Sequence, residues 1–210
     1  MSESSQVLVV GVDFSVVGST ALIGALDLAG ERPTEAIHVV HAAVEREGGV
    51  ALDVPAELPG ADEVNGRLVP RSDAERFTQR WVDGWLRAHA GQNAGELPCP
   101  VIVHLVIGSP AAEIRRIAIE VGADTICVAS HGRRGLRRAL FGSVAESIVR
   151  QAPCNVMVVR DNITPKIDPA YTPEEMKLWE AAQTRRFERR TYHYYDRNTM
   201  AARTNAGHMS

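Results

Sequence analysis

Gly142 and Ser143 stand directly ahead of Val144, Ala145, Ile148 and Val149, apolar positions that recur with the period of a helix. A phosphate needs backbone N–H groups it can approach closely, a helix N-terminus facing it, and a donating hydroxyl; a Gly-Ser helix start supplies all three. The same residues carry a plainer reading, with Ser143 as N-cap and Glu146 three residues on completing a capping box that needs no ligand. Arg133, Arg134, Arg137 and Arg138 fill the stretch before Gly142. Arg133, next to Gly132, is the one best placed to meet a phosphate, and the others read as solvated surface. No aromatic pattern of the single-strand-binding kind accompanies them, so a nucleic-acid surface is not implied.

Other groups that could do chemistry read as structural. His38 and His41 lie three apart in an apolar run, so on a strand they point to opposite faces and cannot chelate one ion together. Cys99, Cys127 and Cys154 are an odd number without CxxC spacing, which favours reduced thiols over disulfides or a zinc site. Phe77, Trp81 and Trp85 fall on one helical face, a core pattern more often than a stacking platform.

The elements that must position these residues follow from hydrophobic patterning. Residues 6–12, 36–43, 101–107, 125–129 and 155–159 are short apolar runs of the kind that strands buried on both faces produce. Between them, helical periods are expected over 15–29 with Gly30 as a stop, over 72–90, from Pro110 to about Val121 with Gly122 as a stop, and from Ser143 on. Strands alternating with helices through right-handed crossovers give a parallel sheet covered on both sides, an α/β doubly wound fold. Asp13 and Ser15 come just past the first strand, where such sheets hold ligands, although a cap for the next helix explains Asp13 equally simply. Residues 44–71, with three prolines and four glycines, read as a long irregular loop, a class that often serves partners.

The 210 residues fit one domain with an appendage, and 45% hydrophobic content is enough for a substantial core. A formal charge of −3 implies no general attraction to nucleic acid or anionic membrane. No apolar stretch is long enough for a membrane span and the N-terminus is polar, so a cytoplasmic location is expected.

The stretch Ala129-x2-Gly132-x9-Gly142-Ser143, with SHGRRGL and FGSVAESIVRQAPCNVMVV around it, resembles the nucleotide motif of the universal stress protein family. The ATP-binding branch of that family carries Gly-x2-Gly-x9-Gly-[Ser/Thr]. The first glycine is alanine here, which adds a methyl where ligand and backbone come close; a tolerated, a weakened and a lost site are all compatible with that. The resemblance covers about residues 5–160, apart from the long loop. It implies a five-stranded parallel sheet of order 3-2-1-4-5, similar to the adenine nucleotide alpha hydrolase-like architecture. It also implies a site for ATP or AMP, with Mg2+ able to bridge the phosphates. Gly132, Gly142 and the amides of Ser143 and Val144 would meet the phosphates, with Ala129 and Arg133 beside them. Val12, Asp13 and Ser15 would lie by the adenosine, and the backbone of Ala42 by the adenine edge. A homodimer through strand 155–159 is implied as well.

Residues 161–210 lie beyond the resemblance. After a proline-containing linker, Thr172-Pro173-Glu174-Glu175 starts a helix expected over 173–190, and Tyr192, Tyr194 and Tyr195 follow it. This extension packs on its own domain, crosses to a second subunit, or binds a partner, as the 44–71 loop could. The expected function is a nucleotide-dependent stress-response regulator acting through partners. A slow ATPase or self-phosphorylating enzyme is the alternative, for which only Asp13 and His131 could place a proton or a water. A nucleotide-free dimeric interaction module is the third.

Overall fold

Where an apolar run is buried from both sides it forms a strand, and the periodic stretches between runs form the helices that bury it. In the computed structural model the described residues are 5–58, 60–92, 97–130, 142–160, 192–195 and 202–203. In chain order the elements are β1 (Gln6–Gly11), α1 (Val16–Glu31), β2 (Thr34–Arg46), β3 (Gly49–Ala51), α2 (Ala61–Val64), β4 (Leu68–Val69) and α3 (Arg71–Gln92). They continue with β5 (Val101–Ile107), α4 (Pro110–Glu120), β6 (Thr125–Ala129), α5 (Ser143–Gln151), β7 (Asn155–Val159), β8 (Tyr192–Tyr195) and β9 (Ala202–Arg203).

The five long strands pair in parallel in the order β7-β6-β1-β2-β5. Alternate residues feed two cores. Leu8, Val10, Ile37, Val39, Val103 and Cys127 pack with Ala21, Leu22 and Leu26 of α1 and with Phe77, Trp81 and Trp85 of α3. Val9, Val40, Val106, Ile126 and Val128 pack with Ile114 and Ile117 of α4 and Ile148 of α5. Gly11 lets α4 come close: a Cβ there would sit 2.5 Å from Ile114 Cδ1. The chain travels from β1 outward to β2 and β5, then returns to β6 on β1's other side. That reversal between β1 and β6 is a topological switch, and open α/β sheets bind ligands outside the carboxyl ends of strands at such a point.

Three expectations need correction. The sheet is mixed rather than a five-stranded parallel one, because β8 pairs antiparallel with β5, bringing Tyr192 opposite His104, and β9 adds to β8. An aromatic-rich segment favours a strand, and on β5 it pairs what would otherwise be an open edge. The 44–71 stretch is ordered: β2 runs on to Arg46, turns over Glu47 and Gly48 into β3, and β3 pairs antiparallel with β4. Gly49 has φ 149°, and a Cβ there would lie 2.6 Å from Val69 O, so this ribbon depends on its Gly-Gly. Gly30 does not stop α1, which runs to Glu31; the chain turns at extended Arg32, ahead of Pro33. Gly122 does turn left-handed after α4 (φ 65°).

Gly132, Arg133, the other spacer arginines, His131 and the helix expected over 173–190 lie outside the described residues. Among the described residues no helix is long and apolar enough to cross a membrane.

Candidate functional site

Two strand-to-helix junctions face each other across the switch. At the first, β1 ends and Val12 N–H still donates to Val40 O of β2 at 3.0 Å. Phe14 then takes φ 61°, a left-handed conformation rare for a bulky residue. Its ring is buried against His41 at 3.9 Å between centroids, with Phe77 and Trp81 edge-on at 5.3 and 5.6 Å. Packing therefore sustains a backbone twist that otherwise costs about 1–3 kcal/mol. The twist reverses the chain so that Ser15, not Asp13, caps α1. Ser15 Oγ accepts from Gly18 N–H at 2.7 Å and donates to Asp13 Oδ1 at 2.6 Å, and Ser15 N–H also reaches Asp13 Oδ1 at 3.2 Å. Gly18 makes room for this: a Cβ there would collide with Asp13 Oδ1.

His41 secures the same corner. Its Nδ1 lies 3.0 Å from Val12 O, and since a carbonyl only accepts, Nδ1 carries the proton. Burial pushes its pKa down to about 4 from 6.5, against the smaller opposing pulls of the Val12 hydrogen bond and of the Asp13 and Asp53 charges. A neutral histidine thus fastens the ends of β1 and β2 together. His38 lies on the other face of the sheet, where its Nδ1 is 2.9 Å from Nε2 of His104. Burial lowers the pKa of both, that of His104 to about 4.

The second junction is built differently. Ser130, buried past the end of β6, donates its N–H to Val159 O and accepts from Gly142 N–H, each at 2.7 Å. The start of α5 is thereby tied to the end of β6. Its cap is Gly142 (φ −68°, ψ 159°), with no side-chain cap hydrogen bond. Ser143 is the first helical residue, exposed, so the expected capping box is not formed. Glu146, which a box would turn back on its cap, pairs with Arg150 at 3.0 Å. The amides of Ser143, Val144 and Ala145 have no acceptor within the helix, as the geometry of any helix start requires, and the positive end of the helix dipole lies with them.

The two junctions are held apart by strand pairing. The β1–β6 ladder stops at Val10 opposite Cys127, whereas β6 stays paired with β7 up to Ala129 opposite Val159. Carried two residues further, the β1–β6 register would set Val12 level with Ala129, and no ladder pair joins those ends. Val12, Asp13 and Ser15 lie just past the end of β1; Ala129 ends β6, and Gly142, Ser143 and Val144 lie at the start of α5. Ala42 lies in β2. Continuing β1's register on β2, it is level with Asp13, and neither the β1 ladder nor the β3 ladder includes it.

A scan against family models matches the universal stress protein family over residues 5–160. The chain belongs to the universal stress protein family. A relative from Staphylococcus epidermidis, named for this family, is 45% identical over 94 residues, 44% of this chain and 54% of the relative. The chain thus spans about half the length of that relative. A Staphylococcus aureus relative is 31% identical over 138 residues, 61% of this chain and 81% of the relative. Among solved structures, the universal stress protein UspA from Lactobacillus plantarum has a TM-score of 0.51 at 21% identity, covering 74% of this chain and 97% of that one, which speaks to fold. In universal stress protein terms, the motif alanine, Ala129, lies half-buried at the end of β6.

Three contributors escaped the residue patterns. Phe14 carries the positive φ, and a bulky residue gives no local signal for that. Gly18 sits inside an otherwise regular helix, and its role shows only once Asp13 folds back over it. Asp53 reaches His41 electrostatically from within what reads as a loop.

Proposed function

We propose that this universal stress protein binds an adenine nucleotide, ATP or AMP, in the crevice between β1 and β6 and acts as a nucleotide-dependent regulator in the stress response, signalling occupancy to partners. The observation that carries this reading is the start of α5. Among the described residues its cap makes no side-chain hydrogen bond to its first amides, and the Gly142–Ser130 hydrogen bond ties them to the carboxyl end of β6. A phosphate at that point would receive N–H groups and the helix dipole together. In the roles the family resemblance implies, Gly132, Gly142, Ser143 and Val144 serve the phosphates, with Ala129 and Arg133 alongside. Asp13 with Val12 and Ser15 serves the ribose side, and the Ala42 backbone the adenine edge. A Mg2+ ion would be held chiefly by phosphate oxygens, since among the described residues no group of three or more ligating side chains offers a separate site. Residues 1–160 would form the nucleotide-binding domain and 161–210 its extension. The β7 edge, with Val156, Met157 and Val158 half-buried, would pair two such chains.

Purifying the protein without added ligand, denaturing it and weighing any released small molecule tests this directly. Adenine nucleotide near one per chain is expected, or failing that a melting temperature that climbs with added ATP as linkage requires. No released nucleotide and no thermal shift would overturn the reading and leave a dimeric interaction module as the better description.

A further inference from the structure

Gly18 is the third residue of α1, a position where a helix capped by serine usually gains from a side chain. In a capping box the N-cap hydroxyl accepts from the N–H of the third helical residue, and a Glu or Gln at that residue turns back to accept from the N-cap N–H. Half of this is present, with Ser15 Oγ accepting from Gly18 N–H at 2.7 Å. The returning acceptor comes from outside the helix. Ser15 N–H and Ser15 Oγ both donate to Asp13 Oδ1, at 3.2 and 2.6 Å.

Asp13 thus does what a glutamate at 18 would do, in the space that such a side chain would fill. A Cβ on Gly18 would collide with Asp13 Oδ1 and lie 3.1 Å from Ser15 Oγ and 3.2 Å from Asp13 N. Glycine is a poor helix former, since it gives up the most backbone freedom and packs nothing. Gly18 is not among the glycines with positive φ, so conformation does not call for it; the space does. What it provides is the anchorage of one carboxylate. Asp13 is held against the first turn of α1 through Oδ1, and it is only half-buried, so it is not sealed from a ligand.

We propose that Gly18 is a positioning residue of the nucleotide site: by leaving its Cβ position to Asp13 it holds that carboxylate as the acceptor for the ribose hydroxyls, and so makes the site selective for a nucleotide that has them. This rests on the nucleotide reading above, which puts Asp13 on the ribose side. An ionised carboxylate only accepts, and it offers about four lone-pair sites. Ser15 draws on Oδ1, and the ribose supplies hydroxyl donors for the same carboxylate. An acceptor fixed before the ligand arrives removes an ordering cost from binding.

Calorimetric titration with AMP and with 2′,3′-dideoxy-AMP, which keeps base and phosphate and lacks both hydroxyls, tests the assignment. The wild type should bind AMP at least about tenfold more tightly, the worth of one hydrogen bond to a charged group. In Gly18→Ala the new methyl displaces the end of the Asp13 side chain. The ratio should shrink to within about threefold through weaker AMP binding, with a cooperative melting transition retained. Asp13→Ala should lose the ratio to the same extent, and adding Gly18→Ala to it should change the ratio no further, because the glycine acts through Asp13. Gly24→Ala, in the same helix with its Cβ 3.1 Å from Val159 Cγ2, should keep the ratio. A Gly18→Ala variant that keeps the ratio, whether both affinities fall together or neither falls, would reduce Gly18 to a packing role and overturn the proposal. A wild type that binds the two nucleotides equally would overturn it too, leaving nucleotide binding in place. Binding of neither nucleotide would overturn the site reading beneath it as well.

Discussion

The junctions after β1 and after β6 have the same topology and opposite construction. After β1 the chain completes itself: Ser15 caps α1, Asp13 fixes Ser15, Gly18 makes room for Asp13, and His41 fastens Val12. After β6 a backbone hydrogen bond fixes the position of α5, but its cap is a glycine that offers its helix no side-chain acceptor. A junction finished by its own side chains spends its polar groups on stability. One that is held by a backbone hydrogen bond and capped by a glycine has, among the described residues, no side-chain acceptor of its own for its first amides, which is the reason for proposing the phosphate end of the site at β6 and the adenosine side at β1.

Acid should separate the two most strongly. His41 is neutral in the fold, with a pKa of about 4 against an ordinary 6.5. As pH falls below 6.5 the unfolded chain takes up a proton that the folded chain refuses, so stability declines until about pH 4 and then levels. A depression of that size corresponds to about 3 kcal/mol, and His104 contributes in the same direction. Urea melts from pH 7 to 4 should show the decline, and His41→Gln should flatten a large part of it. An identical slope in that variant would mean that the first junction does not depend on neutral His41.

At the second junction the corresponding blow falls on binding. Gly142 has φ −68°, which valine tolerates, so Gly142→Val places a branched side chain at the phosphate's approach without straining the backbone. ATP affinity should drop by about thirtyfold or more, the scale of losing two charge-assisted amide contacts, with the melting temperature within a few degrees of wild type. Unchanged affinity by calorimetry would remove Gly142 from the site.

A smaller effect contrasts with this one. Ser15→Ala deletes a cap that is made, and it should cost about 1–2 kcal/mol of stability. A denaturant midpoint equal to wild type would show that Asp13 substitutes for the missing hydroxyl.

The strands were legible because runs such as Val101–Ile107 and Gln6–Gly11 are apolar but for one residue each, His104 and Gln6, and a strand covered on both faces leaves no other pattern. Gly142 became a site candidate through a motif whose spacing is long, and Asp13 and Ala42 through their places at strand ends that resemble the family's. The caps were not, since the identity of a cap depends on where the backbone turns helical. Phe14 moves that point to Ser15, and Gly142 takes it from Ser143. The ribbon at 44–51 left one local trace, its Gly48-Gly49 pair, which is a hairpin signal. The pairing of β8 with β5 is remote from any local signal, with His104 and Tyr192 far apart in the chain.

The finest discrimination comes from Ser143→Ala. Were Ser143 the N-cap of a capping box, its loss would cost about as much as that of Ser15. As the first helical residue, with an exposed hydroxyl that caps nothing, it should cost less than about 0.5 kcal/mol, the ordinary range for a surface change. The same substitution should still weaken ATP by about three- to tenfold, because a hydroxyl beside the helix amides is a donor to phosphate. Stability and binding would thus respond in opposite order to the Ser15 and Ser143 variants. If Ser143→Ala instead destabilised the fold as much as Ser15→Ala, α5 would be self-capped in solution, the two junctions would be alike, and the argument for a phosphate at the second would lose its footing.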